Sequence, residues 1–326
     1  MITQAKTIVR KRVRDYIKSF MSADGRFRVS LIDSTDCLKS YINRFHLNPD
    51  GNDVHYQAST LMGKSMSASL LLSSLLKGEE RIKLEVFMHN NHPTIHHIVA
   101  EAIQVGEVRG FVSFKDSPKD FVDDTHSVFS VSRVLMEHSK PVVSALPLSD
   151  KADVTTEFRE FFEKSEQIPT ASTLVCKKEM GRDPISYGVI VQRLPLPVLS
   201  SHIIANDDIS GFSEIEDQLN EYKEKLSKLE GKIFSREDIH EHLFYKFFVP
   251  EEASTVRYKP VDFFCRCSKD RVLEAVSQIG VEEITSMRNE LLETNKPSFD
   301  STCEYCNTTY HLNEEDLYSL INKISH

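Results

Sequence analysis

After the Asp24-Gly25 turn, apolar residues fall at every second position: Phe27, Val29 and Leu31, then, further along, Ile82, Leu84 and Val86. Period two marks a strand with one buried face. More strands are expected at residues 109–114, 128–135, 142–146, 172–177 and 186–193. Elsewhere the period is helical. Ala58, Leu61, Met62, Ser65, Ser69, Leu72 and Leu76 predict a long helix with small residues on its packing face, ended by Gly78. Phe158, Phe161 and Phe162 mark another helix over residues 153–165. Strand pairs covered by a few helices give an α+β core domain with antiparallel sheets, assigned to residues 1–197.

Near Ser200 the pattern changes. Residues 214–232 are dense in Glu and Lys, while Ile215, Leu219, Tyr222, Leu226 and Leu229 step by three and four. The stripe suits an amphipathic helix lying on a neighbouring surface; a coiled coil would sustain more heptads. Ser235 with Asp238 caps a second helix, whose apolar face is Ile239, Leu243, Phe244, Phe247 and Phe248 and which Pro250 closes. Residues 198–260 therefore read as a helical linker rich in apolar surface. A small terminal module follows over residues 261–326. Ser268 caps its first helix, with Val272, Ala275, Val276 and Ile279 inward up to Gly280. Ile284, Met287 and Leu291 mark a second. Asn313 and Asp316 cap a last one carrying Leu317, Leu320, Ile321 and Ile324.

Composition narrows the function classes. A chain of 326 residues suits two domains or one with an appendage, and no apolar run is long enough to span a membrane. The net charge is −9, and residues 262–326 carry six Lys/Arg against twelve Asp/Glu, the wrong balance for gripping phosphate backbones. Nucleic acid is not an expected partner. Residues 1–14 hold Lys6, Arg10, Lys11, Arg12 and Arg14 with no acid; they read as a solvated helix start, with organelle import as the second reading. Six cysteines without a secretory signal suit a reducing compartment, so the cytoplasm is expected.

The chemistry is concentrated near the C-terminus. Cys265-Arg-Cys267 and, 35 residues on, Cys303-Glu-Tyr-Cys306 are two thiol pairs of the kind that clamp one tetrahedral zinc ion. A disulfide across one intervening residue would close a strained, easily reduced ring, so the same site has the makings of a redox switch. The module's core is too small to hold itself, and bound metal would supply much of its folding free energy. Arg266, Lys269 and Arg271 either favour the thiolate form or are simply solvated. Cys37 and Cys176 read as buried, inert thiols. The remaining candidates are weaker. His89, His92, His96 and His97 read as a polar loop, since Pro93 interrupts helical spacing and no carboxylate joins them. Ser74-Leu-Leu-Lys77 lacks the partner motifs of serine acylases, and no phosphate loop or dinucleotide fingerprint occurs among 11 glycines. No acid–base or nucleophile pair stands out, so no enzyme is expected. A thiol oxidoreductase would use only two of the four cysteines.

Five segments bring a family into view. Phe263-Phe264-Cys265-Arg266-Cys267-Ser268-Lys269-Asp270-Arg271 is similar to a C-x-C-S-[RK]-x-R stretch, and Cys303-Glu304-Tyr305-Cys306 with Tyr310 to a C-x-[YF]-C-x-x-x-Y ending. Upstream, residues 161–170 resemble Y-F-x-x-S-E-Q-[LI]-P-T, and Leu76-Lys77-Gly78-Glu79-Glu80-Arg81 and Val108-Arg109-Gly110-Phe111 also fit. In this order they resemble the 33-kDa heat-shock proteins, redox-regulated holdase chaperones. The departures, His89-Asn90-Asn91-His92-Pro93 for a Gly-Asp-Gly-Pro turn and Asn307 for a glycine, suggest a divergent member. The resemblance implies one zinc ion on Cys265, Cys267, Cys303 and Cys306 in an inactive reduced state. It implies, on oxidation, zinc release and disulfides Cys265–Cys267 and Cys303–Cys306, unfolding of module and linker, dimerisation, and ATP-independent binding of unfolding clients. ATP-driven chaperones then take the clients over. Ile215, Leu219, Leu226, Phe244 and Phe247 are the candidate client contacts, although ordinary packing onto the core is the better reading of any one of them. The competing reading is a constitutive zinc-ribbon adaptor for a protein or nucleic-acid partner, without a switch.

Overall fold

β-Branched and aromatic residues build thirteen strands among the described residues, and each sheet finds its cover in a helix. The computed structural model describes residues 14–22, 25–89, 91–115, 127–135, 140–149, 153–194, 208–230, 232–245 and 253–325. In chain order these form β1 (Tyr16–Ser22), β2 (Phe27–Asp33), α1 (Thr35–Arg44), α2 (Asp53–Ser73), β3 (Arg81–Phe87), β4 (Ile95–Ile103) and β5 (Glu107–Phe114). Next come β6 (Val128–Val134), β7 (Val142–Pro147), α3 (Val154–Glu160), which runs into a π-turn at Phe161–Glu166, β8 (Thr170–Lys177) and β9 (Ile185–Arg193). The linker supplies α4 (Asp208–Glu230), α5 (Arg236–Asp238), extended by a π-turn at Ile239–Tyr245, and β10 (Ala253–Pro260). The tail supplies β11 (Asp262–Phe263), α6 (Lys269–Ser277), α7 (Val281–Thr294), β12 (Phe299–Thr302), β13 (Thr309–Leu312) and α8 (Glu314–Ser325).

Two sheets, ordered β10-β1-β2-β9-β8 and β11-β5-β4-β3-β6-β7, enclose α2. The helix is buried all round from Ser65 to Ser73, and its serines let both sheets approach. Their hydroxyls are satisfied locally: Ser67 Oγ meets Ser34 Oγ at 2.7 Å and Ser186 Oγ at 3.1 Å. The helix stops at Ser73, five residues before Gly78, where the Leu75 and Leu76 N–H groups turn to carbonyls three residues back, those of Leu72 and Ser73, both at 3.1 Å. The outer face of the first sheet is apolar as well, with Phe20, Phe27, Val29, Leu31 and Tyr187, and α4 lies across it.

Four expectations are corrected here. β1 occupies residues 16–22 where the chain was read as entering a helix; residues 1–13 lie outside the described set. As an inner strand between β2 and β10 it is covered on both faces and shows no alternation. The polar-loop reading fails for His96 and His97, which sit on β4, a strand carried by the buried run from Ile98 to Ile103. The linker is not helical to its end: β10 pairs antiparallel with β1, Val256 opposite Phe20. In the terminal module the caps at Ser268 and Asn313 form as expected, but α6 buries no residue, and Ala275 and Ile279 face solvent. Packing there rests on Ile284, Leu291, Leu317 and Leu320.

Candidate metal centre

The chain reaches the cysteines along a fixed path. After β10, Val261 N–H donates to the Asp15 carbonyl at 3.0 Å, and β11 then joins the other sheet, parallel to β5. Gly106 makes the crossing possible: its φ is +100°, and a Cβ there would lie 2.2 Å from the Pro260 carbonyl oxygen. Buried Phe263 fixes the strand end, so Cys265 and Cys267 emerge at the edge of the core. The second pair sits on the turn between β12 and β13, where Cys303 O accepts from the Cys306 and Asn307 N–H groups. Asn307 holds φ at +55°, the left-handed conformation for which a glycine would be usual, and its side-chain amide donates to Arg44 O at 2.8 Å.

These paths bring all four sulfurs within 4.8 Å of one another, the one group of three or more His, Cys, Asp or Glu among the described residues able to hold a metal ion. The closest approaches run across the pairs, Cys265 to Cys303 at 3.8 Å and Cys267 to Cys306 at 3.4 Å. Sulfurs about 3.8 Å apart are what a tetrahedral zinc with ~2.3 Å bonds requires, so the donor set fits that ion. Two donors point at the first cysteine pair, while burial still holds the Cys267 thiol above its ordinary value. Tyr310 Oη donates to Cys267 Sγ at 3.1 Å, and Arg109 Nη1 to Cys265 Sγ at 3.6 Å. Burial alone would raise Cys306, but hydrogen bonds from Thr308 and the neighbouring thiols outweigh it and bring it down to about 7. Burial, with nearby Cys265, pushes Cys303 up to about 12. Four thiols this close shed their protons readily only when a cation shares the site.

The centre is also tied to the core through Glu107, which sequence reading did not single out, and through Arg266, read there as favouring the thiolate or as solvated. Arg266 pairs with Glu107 at 2.6 and 3.1 Å, and Tyr305 packs edge-on to Phe111 and under Arg109. The stretch from Val108 to Phe111 is visible in the sequence as part of a strand and as a matching segment, not as part of the site. The linker has its own tie, since Arg236 reaches Asp15, Asp33 and Asp36 at 2.5, 2.8 and 2.7 Å. Of the candidate client contacts, Ile215, Leu219 and Leu226 are buried against the first sheet; the Phe244 side chain and all of Phe247, with Phe248 and Pro250, lie outside the described residues. Cys37 and Cys176 are buried, and burial raises both thiols. His97 stacks on Phe87 at 3.8 Å and faces Glu85, an arrangement of packing rather than of ligands.

A two-sheet α+β core, linker helices laid on one sheet and a Cys₄ module docked at the edge of the other define a protein with a metal-competent thiol centre at a domain junction. The chain matches the family model described as "Hsp33 protein" over residues 15–313, and it belongs to that family. It is 28% identical to the 33 kDa chaperonin of Oceanobacillus iheyensis, an alignment covering 94% of this chain and 99% of that protein. It is 27% identical to the 33 kDa chaperonin of Bacillus subtilis, covering 94% and 98%. The crystal structure of the 33 kDa chaperonin from Thermotoga maritima superposes with a TM-score of 0.68 at 21% identity, covering 96% of this chain and all of that one, and so shares the fold.

Proposed function

We propose that the protein is an ATP-independent holdase chaperone gated by the redox state of its Cys₄ centre. The observation that carries this is the gathering of four cysteine sulfurs within 4.8 Å at the place where the module meets the core, in a family whose relatives are named chaperonins. Cys265, Cys267, Cys303 and Cys306 would hold one zinc ion, which keeps all four as thiolates and staples a module with little core of its own. With a peroxide, the Cys265 and Cys267 thiolates lose two electrons and form one S–S bond, while hydrogen peroxide takes up those electrons and two protons from solvent and leaves as two waters. Cys303 and Cys306 do the same. Either disulfide takes two donors from the set, which can then no longer hold the ion. The terminal module, about residues 261–326, and the linker, about residues 198–260, then separate from the core.

Release of the linker bares the apolar face of α4, Ile215, Leu219 and Leu226, together with the sheet it covered. That surface, with Phe244 and Phe247, is the proposed client site; large exposed apolar patches hold non-native chains without specificity. The oxidised form pairs as a homodimer and passes clients to ATP-driven chaperones in the cytoplasm. Light scattering from a chemically unfolded client, diluted into reduced zinc-loaded or peroxide-treated protein at elevated temperature, tests the reading. Suppression of aggregation by the oxidised sample alone is expected. Equal behaviour of the two, with zinc retained in both, would leave a constitutive zinc module.

A further inference from the structure

Arg109 belongs to β5 of the core, yet its guanidinium spans to the terminal module. Nη1 lies 3.6 Å from Cys265 Sγ, Nη2 donates to Glu101 Oε1 at 2.9 Å, and the Tyr305 ring centroid is 4.2 Å from the guanidinium carbon. Glu101 is only 7% exposed, and it anchors the side chain from β4. One planar group thus holds a sulfur of the first cysteine pair and the aromatic residue set between the cysteines of the second. From this geometry, and resting on the redox reading above, we infer that Arg109 is a positioning residue that makes docking of the module depend on the charge of Cys265.

The physical basis is the difference between two forms of one sulfur. A thiolate keeps negative charge whether free or bound to a cation, and it attracts a guanidinium edge. A disulfide sulfur is neutral and a poor acceptor. When Cys265 gives up its electron to a disulfide, Arg109 keeps Glu101 but loses its partner on the module side, and the contact that steadies Tyr305 weakens with it. Arg266 also pairs across the junction, with Glu107 at 2.6 Å and Glu79 at 3.6 Å, and thiol oxidation leaves those charges unchanged. Among the described contacts between charged groups of core and module, the Arg109 contact is the one that involves a cysteine sulfur. In the reduced protein it also shields Cys265, because a hydrogen-bonded thiolate is a weaker nucleophile.

Cobalt(II) loaded into the reduced full-length protein gives a direct readout, because its sulfur-to-metal charge-transfer band reports on the thiolates. In Arg109→Gln the band shifts, amide exchange across residues 299–312 quickens, and peroxide bleaches the band roughly three- to tenfold faster, the worth of one hydrogen bond. Glu107→Gln is the docking control: exchange quickens while the band stays at its wild-type position. Arg109→Lys falls between wild type and Arg109→Gln in both measurements, and it decides the matter should Arg109→Gln fail to fold. A wild-type band in Arg109→Gln, or wild-type band and exchange in Arg109→Lys, overturns the inference. Wild-type protein that keeps its band under peroxide at elevated temperature sinks the redox reading instead, while the unoxidised band and exchange still judge Arg109.

Discussion

Two carboxylates sealed beside one linker arginine show how a few residues set the strength of an interdomain contact. Asp15 is 1% exposed and Asp33 is fully buried, and Arg236 reaches both. Burial, and then the charge of Asp33, push Asp15 up to about 7, against hydrogen bonds from the Asp36 and Cys37 N–H groups and the pull of Arg236. Asp33 moves the other way: burial would raise it, but its bond with His240 and the charge of Arg236 prevail and hold it below the usual carboxylate range. The sign follows from proton counting. Between the ordinary Asp value near 4 and about 7, the folded chain holds a proton on Asp15 that the unfolded chain does not, so this group adds stability as pH falls through that window. Above it, the buried charge costs the fold in full. Asp15→Asn carries no such charge. Its stability relative to wild type, from urea midpoints, is expected to be greatest above pH 7 and to decline toward pH ~4. A difference independent of pH would show that Asp15 stays ionised throughout.

At the scale of the element, α4 is a helix whose polar face is plain in the sequence and whose apolar stripe is spent on the first sheet. Leu219 is 5% exposed in a cluster with Ile215 and Leu226, and Phe27 meets Tyr222 edge-on at 5.3 Å. Leu219→Ala should lower the docking free energy by about 2–5 kcal/mol, the usual range for a buried leucine. Amide exchange along residues 213–229 reads this directly, and the reduced variant is expected to suppress client aggregation in part without oxidant. Unchanged exchange would mean that α4 is held by its other contacts. The stripe was legible because one face is solvated, and for the same reason β3 could be read from period two; β2 is covered on both faces but still alternates in sequence because Arg28 and Ser30 are polar. In β1 the buried residues Ile17, Lys18 and Phe20, and in β4 the run from Ile98 to Ile103, fall on both faces, and no alternation results. β10 could not be read because its strand character comes from pairing with β1, more than two hundred residues away in the chain. The cysteines announced themselves by spacing alone; Arg109 and Glu101 did not, since a contact across 156 residues has no local pattern.

The whole molecule is uneven in what holds its parts. The core encloses α2 between two sheets, whereas the terminal module buries one cluster of four residues, Ile284, Leu291, Leu317 and Leu320. A core that small contributes only a few kcal/mol, so the four thiolates and their ion carry much of the module's stability. Removing the metal from reduced protein with a strong chelator should therefore act on one end of the chain. Amides of α6, α7 and α8 are expected to exchange within the dead time, while those of α2 and β9 keep their protection. Loss of helical circular dichroism should match the tail helices alone. Loss of the Cys265 thiolate's fixed position also frees Arg109 and Tyr305, so exchange at the β5 edge should rise next, before any change in the first sheet. Protection that survives chelation in α7 and α8 would show that their packing suffices. The Cys₄ centre would then serve to position the module against the core, and oxidation would undock a folded domain without unfolding it.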